Sequence, residues 1–225
     1  MTSKMIKQLY HHPFIERLLH TQVYCLKEAL KDCETVLDLG CGPDSPLQHC
    51  KNINHSVGVE PFAPYLERSK DNHIHTEYLD KKIQDLEFPE NSFDTVIMIE
   101  VLEHLTTEDG FKVLRNAERW ARKKVVLTTP NGFVNQNEVD ANPLQKHLSG
   151  WDYKEMTNLG YRCQGLAGLK FLRQEKDEAT MDDDLTVSIR FKPKFFWFII
   201  ATLSQLITYY LPQQAFELFC VKEKS

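Results

Sequence analysis

Apolar residues in this chain follow two rhythms. Short continuous runs, Val36-Leu37 with Leu39, Val57-Gly58-Val59, residues 93–99 and residues 124–129, are cut off by Gly, Glu or Pro. Such runs suit strands of a parallel sheet covered on both faces. Between them, three- and four-residue spacing predicts helices. The positions Leu9, Phe14, Leu18, Leu19, Val23, Leu26 and Leu30 give helical segments over 5–31, broken at Pro13. Residues 63–70 form a helix begun in the Pro61-Phe62-Ala63-Pro64 turn, 111–121 an amphipathic helix, and 151–159 a short one closed by Gly160. Weak alternation over 73–79 gives a third strand ending at Asp80, and 161–166 and 215–222 supply a sixth and a last. The sum is an α/β fold.

Two stretches keep neither rhythm. Residues 131–150 are polar and aperiodic, and a loop of that length inside a compact domain is usually functional or disordered. It leaves the C-terminal end of a central strand, where open α/β sheets bind ligands. Asn131, Asn142, Gln145 and His147 are therefore the expected substrate-side residues, their amides and imidazole suiting a hydroxyl or carbonyl. Residues 175–184 are acidic, and 195–211 are strongly apolar after Lys192 and Lys194. Those 17 residues fall short of the roughly 20 that span a bilayer. Thr202, Ser204, Gln205 and Thr208 make one polar arc, and the apolar remainder needs a cover: the domain's own core, a dimer partner or a membrane surface.

With 225 residues, one domain is expected over 1–225: helical segments over 1–33, a core over 34–130, the loop at 131–150, and an acidic then apolar helical insertion at 175–212. The net charge of −5 gives no footprint for nucleic acid, and Arg115, Arg119, Arg122, Lys123 and Lys124 read as a solvated face. Six cysteines without a CxxC pair, behind a Met1-Thr2-Ser3-Lys4 start without an apolar signal core, suggest reduced thiols and a cytoplasmic protein, membrane-associated if 195–211 docks on a bilayer. No metal site is expected, because the tight histidine pairs, His11-His12 and His73-x-His75, lack zinc-site partners.

The chemistry concentrates in residues 35–62. Gly40 and Gly42 leave a turn open to close approach by a ligand, and Glu60, twenty positions beyond Gly40, ends the second strand where nucleoside-binding folds grip ribose hydroxyls. Ser45 stands where a dinucleotide site wants a third glycine, Asp44 suits a cation better than a diphosphate, and no Gly-Lys-Ser/Thr follows. Pro43 and Ser45 thus disfavour a nicotinamide-dependent oxidoreductase.

With VLDLGCG at 36–42, Glu60, DLEFPENSFD at 85–94 and IEVLEHL at 99–105, the sequence resembles the class I S-adenosylmethionine-dependent methyltransferases over about two thirds of its length. The resemblance implies a doubly wound, Rossmann-like seven-stranded sheet of order 3-2-1-4-5-7-6, with strand seven antiparallel. It implies S-adenosyl-L-methionine held by Asp38, Gly40, Cys41, Gly42, Glu60, Pro61, Asp80, Ile83 and Glu100, with Asp85 competing with Asp80 for the adenine. Residues 1–33 would act as a lid bringing Tyr10 and His11 to the pocket, and Glu103 and His104 would face the acceptor. For a hydroxyl acceptor His147 or His104 would serve as general base; a carbon or amine would need positioning alone. The absence of an Asn/Asp-Pro-Pro-Tyr/Phe segment after the fourth strand makes the chain more similar to the branch acting on small or lipid-like molecules, which includes quinone-biosynthesis enzymes. The competing reading is a non-catalytic S-adenosylmethionine-binding protein acting through a partner on the C-terminal apolar helix.

Overall fold

The computed structural model describes residues 12–174, 186 and 188–224. Seven strands form one sheet: β1 (Thr35–Leu39), β2 (His55–Val59), β3 (Glu77–Leu79), β4 (Phe93–Ile99), β5 (Ala121–Pro130), β6 (Arg162–Leu169) and β7 (Ala215–Glu223). Their spatial order is β3-β2-β1-β4-β5-β7-β6, as expected. β1 to β5 run parallel, and β7 lies antiparallel to both β5 and β6.

The continuous apolar runs arise because each face of the sheet has its own cover. Leu37, Leu39, Val96, Met98 and Leu127 pack with Leu114, Ala117 and Trp120 of helix α4 (Thr107–Trp120). Their strand neighbours Val36, Ile97 and Val126 turn the other way, onto Leu26 of helix α2 (Gln22–Ala29) and onto Leu30. The remaining helices are α1 (Pro13–Leu19), α3 (Ala63–Asp71), α5 (Tyr153–Asn158) and α6 (Lys194–Thr208).

Several boundaries move, each for a local reason. α4 starts at Thr107 rather than 111, because Thr106 caps it by accepting from the Asp109 amide and Glu108 and Asp109 fill its first turn. β3 keeps only three residues, since the Thr76 hydroxyl bonds both the amide and the carbonyl of Ser56 where a ladder would start. Leu26 and Leu30 are wholly buried, so that part of the expected lid is a wall of the core; residues 1–11 and the whole acidic stretch 175–184 lie outside the described residues.

α6 corrects the expectation most. Its polar arc faces the sheet: Gln205 accepts from the Gly168 amide (2.8 Å) and donates to the Gly165 carbonyl (3.0 Å), while Ser204 accepts from the Leu169 amide (2.9 Å). Gln205 is only 3% exposed, whereas Phe195, Leu203 and Ile207 are 53%, 56% and 60% exposed. The domain's own core is therefore not the cover of this apolar face among the described residues. Close seating needs glycine: a Cβ on Gly168, at φ +75°, would lie 2.0 Å from the Ala201 carbonyl oxygen. Gly168→Ala should cost about 2 kcal/mol, a fall in Tm of ~4–8 °C by calorimetry; an unchanged Tm would show that α6 does not seat on β6 in this way.

Candidate active site

The crevice forms where β1, β2 and β4 end. Gly40 (φ +70°) and Gly42 (φ +57°) turn the chain, and the Gly40 and Cys41 amides both donate to the Val59 carbonyl (2.8 and 3.0 Å). A Cβ on Gly40 would fall 2.8 Å from the Val101 side chain. Glu60 follows Val59, and its carboxylate accepts from the Gly42 and Phe62 amides at 3.2 and 2.9 Å. Burial raises its pKa despite these bonds. The cavity, about 200 Å³, is lined by Gly40, Glu60, Pro61, Ile83, Glu100, His104, Asn142 and Gln145 among others.

Four expected cofactor residues do not line it. Asp38 is buried behind the turn, where it accepts from the Ser45 hydroxyl at 2.5 Å and lies 3.5 Å from His75 Nε2. Burial pushes its pKa up to about 7, and pushes that of His75 down to about 4, so Asp38 is a brace. Cys41 is buried, with its thiol pKa raised by burial. Gly42 lends its amide to Glu60. Asp80 is exposed, although its charge is felt at Glu60, and Asp85 is exposed too; Lys82, Ile83 and Gln84 line the wall between them.

A second cavity, about 350 Å³, shares Glu100, His104 and Gln145 with the first and adds Glu103, Gln136, His147, Arg173, Gln174 and Glu217. Part of its wall comes from the 131–150 loop, expected on the substrate side. Leu148 and Ser149 amides donate to the Glu103 carbonyl (2.7 and 3.1 Å), and the Ser149 hydroxyl and Trp151 indole donate to that of Leu102. These bonds set His147 against His104, ring centres 4.9 Å apart. His104 Nδ1 lies 3.3 Å from the Lys146 carbonyl oxygen and His147 Nδ1 2.6 Å from that of Val134. Spacing alone predicts no metal site, yet one donor atom each from Glu103, His104 and His147 fall within 4.8 Å of one another.

Other assignments need revision. Asn131 is a structural pin: its Nδ2 donates to the carbonyls of Pro212, Gln213 and Ala215, and its Oδ1 accepts from the Tyr153 amide. Asn142, by contrast, keeps its place in the lining of the first cavity; its Oδ1 accepts from the Leu144 amide and its buried Nδ2 has no hydrogen-bond partner among the described residues. His104 is a poor base, because burial above all, with the adjacent His147, lowers its pKa to about 4. Tyr10 and His11 lie outside the described residues. Glu217 is the residue that sequence reading missed. Burial and the Glu100 charge push its pKa well up, and its one signal was an acid alone in the apolar β7 run.

Residues 37–128 match the family model described as Methyltransferase domain. No curated protein gives a significant match. Among solved structures, the methyltransferase domain of bacterial CtHen1 is similar at TM-score 0.55 and 17% identity, over 91% of this chain and 97% of that one. A SAM-dependent methyltransferase from Archaeoglobus fulgidus gives 0.53 and 16%, over 94% and 98%. The plantazolicin methyltransferase BpumL in complex with SAH gives 0.52 and 11%, over 99% and 89%. At these identities the structures speak for the fold. Glu60→Ala should weaken S-adenosylmethionine binding by about 1.5–3 kcal/mol in calorimetry; unchanged affinity would remove Glu60 from the site. Taken with the motif-bearing crevice and the reversed β7, the match over 37–128 identifies those residues as a methyltransferase domain, set in a Rossmann-like fold.

Proposed function

We propose that the chain methylates a hydroxyl group on a small, acidic, partly apolar molecule. The observation that carries this reading is the second cavity, which meets the cofactor crevice at Glu100, His104 and Gln145. It continues into a third, about 410 Å³, through Val134, Arg173, Gln174 and Phe216. That outer cavity adds Lys170 and Arg190 beside Phe133 and Phe171, a lining suited to a carboxylate or phosphate on an apolar frame.

In the reaction the acceptor oxygen forms a bond to the methyl carbon as the carbon–sulfur bond breaks. Its electron pair goes to sulfur, leaving neutral S-adenosylhomocysteine, and the hydroxyl proton passes to Glu217. A carboxyl with a raised pKa holds that proton better than an ordinary one, and better than His104. The remaining work is alignment. A cavity joined to the crevice also speaks for an enzyme over a non-catalytic binding protein.

The inverted α6 favours a further reading, contact with a membrane from which a lipid-like acceptor is drawn. Among the described residues no helix is long and apolar enough to cross a membrane. Instead Phe195, Leu203, Leu206 and Ile207 present one exposed apolar face, extended by Phe14 and Leu18 of the adjoining α1, with Lys192 and Lys194 at its start. That arrangement suits an interfacial helix on an anionic surface.

Screening small hydroxylated acids with S-adenosylmethionine and identifying products by mass spectrometry should give O-methyl ethers; methylation confined to carboxylates, amines or nucleic acid would refute the reading. With the acceptor found, Glu217→Gln should lower turnover about 100-fold without changing cofactor affinity. Because the carboxylate is the active form, the wild-type rate should rise with pH through a limb above the ordinary Glu value of about 4.3, and the variant should lose that limb. The wild-type chain should sediment with phosphatidylglycerol-containing vesicles, and the double variant Leu203→Glu, Ile207→Glu should stay in solution. Failure of the wild-type chain to sediment would eliminate membrane contact.

A further inference from the structure

We propose that Glu103, His104 and His147 bind a divalent transition-metal ion at the wall between the two inner cavities. All three line the second cavity, and one donor atom from each lies within 4.8 Å of the others. Ions of this class bond to imidazole nitrogen and carboxylate oxygen at about 2.0–2.2 Å, so a modest side-chain rotation closes the set around one ion.

Three observations point the same way. The Glu103 side chain lies in a residue only 2% exposed, and neither carboxylate oxygen has a hydrogen-bond partner among the described residues. Glu100 and the Thr129 hydroxyl lie beside it. A buried carboxylate in that position calls for a cation or a proton. Each histidine sets Nδ1 against a backbone carbonyl, Lys146 for His104 and Val134 for His147. An Nδ1–H bond of that kind fixes the tautomer with the electron pair on Nε2, and it is how ligating imidazoles are oriented. Finally, the approach of the two segments is built into the backbone. The Leu148 and Ser149 amides are bonded to the Glu103 carbonyl, which holds His147 beside residues 43 positions earlier.

Two imidazoles and one carboxylate suit Mn²⁺, Fe²⁺, Co²⁺ or Zn²⁺ rather than Mg²⁺ or Ca²⁺, which favour oxygen throughout. Three protein donors leave coordination positions open toward the second cavity. An acceptor hydroxyl bound there would be oriented toward the crevice and would lose its proton more readily. This role rests on the acceptor-pocket reading above; metal binding itself is measured without any acceptor, so either idea can fail alone.

The test is titration of the chelator-treated full-length chain with Mn²⁺, followed by electron paramagnetic resonance of the free ion, and with Co²⁺, followed by its visible absorption. The expected result is one equivalent bound at micromolar affinity. Glu103→Gln and His147→Ala should each weaken binding more than tenfold, while His55→Ala, far from the cluster, should not. Retained S-adenosylmethionine affinity in His147→Ala would show that the variant is folded. No saturable binding by wild type, or equal binding by all variants, would overturn the site and leave Glu103 as a buried, protonated acid.

Discussion

The carbonyl of Val59 accepts hydrogen bonds from the amides of both Gly40 and Cys41, and this junction holds the end of β1 against the end of β2. Only a chain with positive φ at Gly40 and Gly42 reaches it, and a side chain at Gly40 would strike Val101. Because Glu60 is the next residue, the same junction aims its carboxylate back at the Gly42 amide. The crevice floor, its acid and its distance from the β4 end thus follow from one carbonyl and two glycines. Asp38 and Ser45 brace the turn from behind.

This part of the site was legible because its determinants are local. Gly40, Glu60, Pro61 and Glu100 follow the ends of β1, β2 and β4, strands that apolar runs mark plainly, and all of them line the crevice. Asp38 was misread for a reason of parity: in a strand, alternate side chains face opposite ways, and Asp38 shares the face of Val36, which belongs to the core against α2. The acceptor side was hard to read because its contacts are long-range. Nothing in the spacing of His104 and His147 shows that the Glu103 carbonyl joins their segments, and an aperiodic loop conceals hydrogen bonds made to another segment. Asn131 looked like a ligand-binding amide and proved to be a clasp for the chain ahead of β7.

The inversion of α6 shows why hydropathy gave its position but not its orientation. β6 is irregular between Leu166 and Leu169, with Ala167 and Gly168 at positive φ, and it leaves backbone groups that no strand satisfies. Leaving a buried amide or carbonyl unpaired costs about 1–3 kcal/mol, comparable to burying an apolar side chain. Gln205 and Ser204 supply the missing partners, and the helix turns its polar arc inward to do so. The apolar face is then left outward as a geometric consequence, since a helix that gives one side to hydrogen bonding presents the other.

Glu100, Glu103 and Glu217 set a further problem, because they gather acids at one wall where burial opposes charge and Glu100 opposes both of the others. Ordinary surface salt bridges contribute little here: Arg173 is the cation whose charge is felt at Glu217, and Gln22 supplies only an amide at 3.4 Å. Relief must come from protons or from a bound cation, and the two kinds of relief suit different residues. Glu217, bonded to Gln22 and near Arg173, is placed to exchange a proton with whatever enters the cavity. Glu103, without a hydrogen bond among the described residues and beside two imidazoles, is placed to hold a positive ion. A wall that both takes up a proton and fixes an oxygen is what transfer of a methyl group to a hydroxyl requires. On the proposed reading, the acids that the fold tolerates at a cost in stability are the residues that face the acceptor.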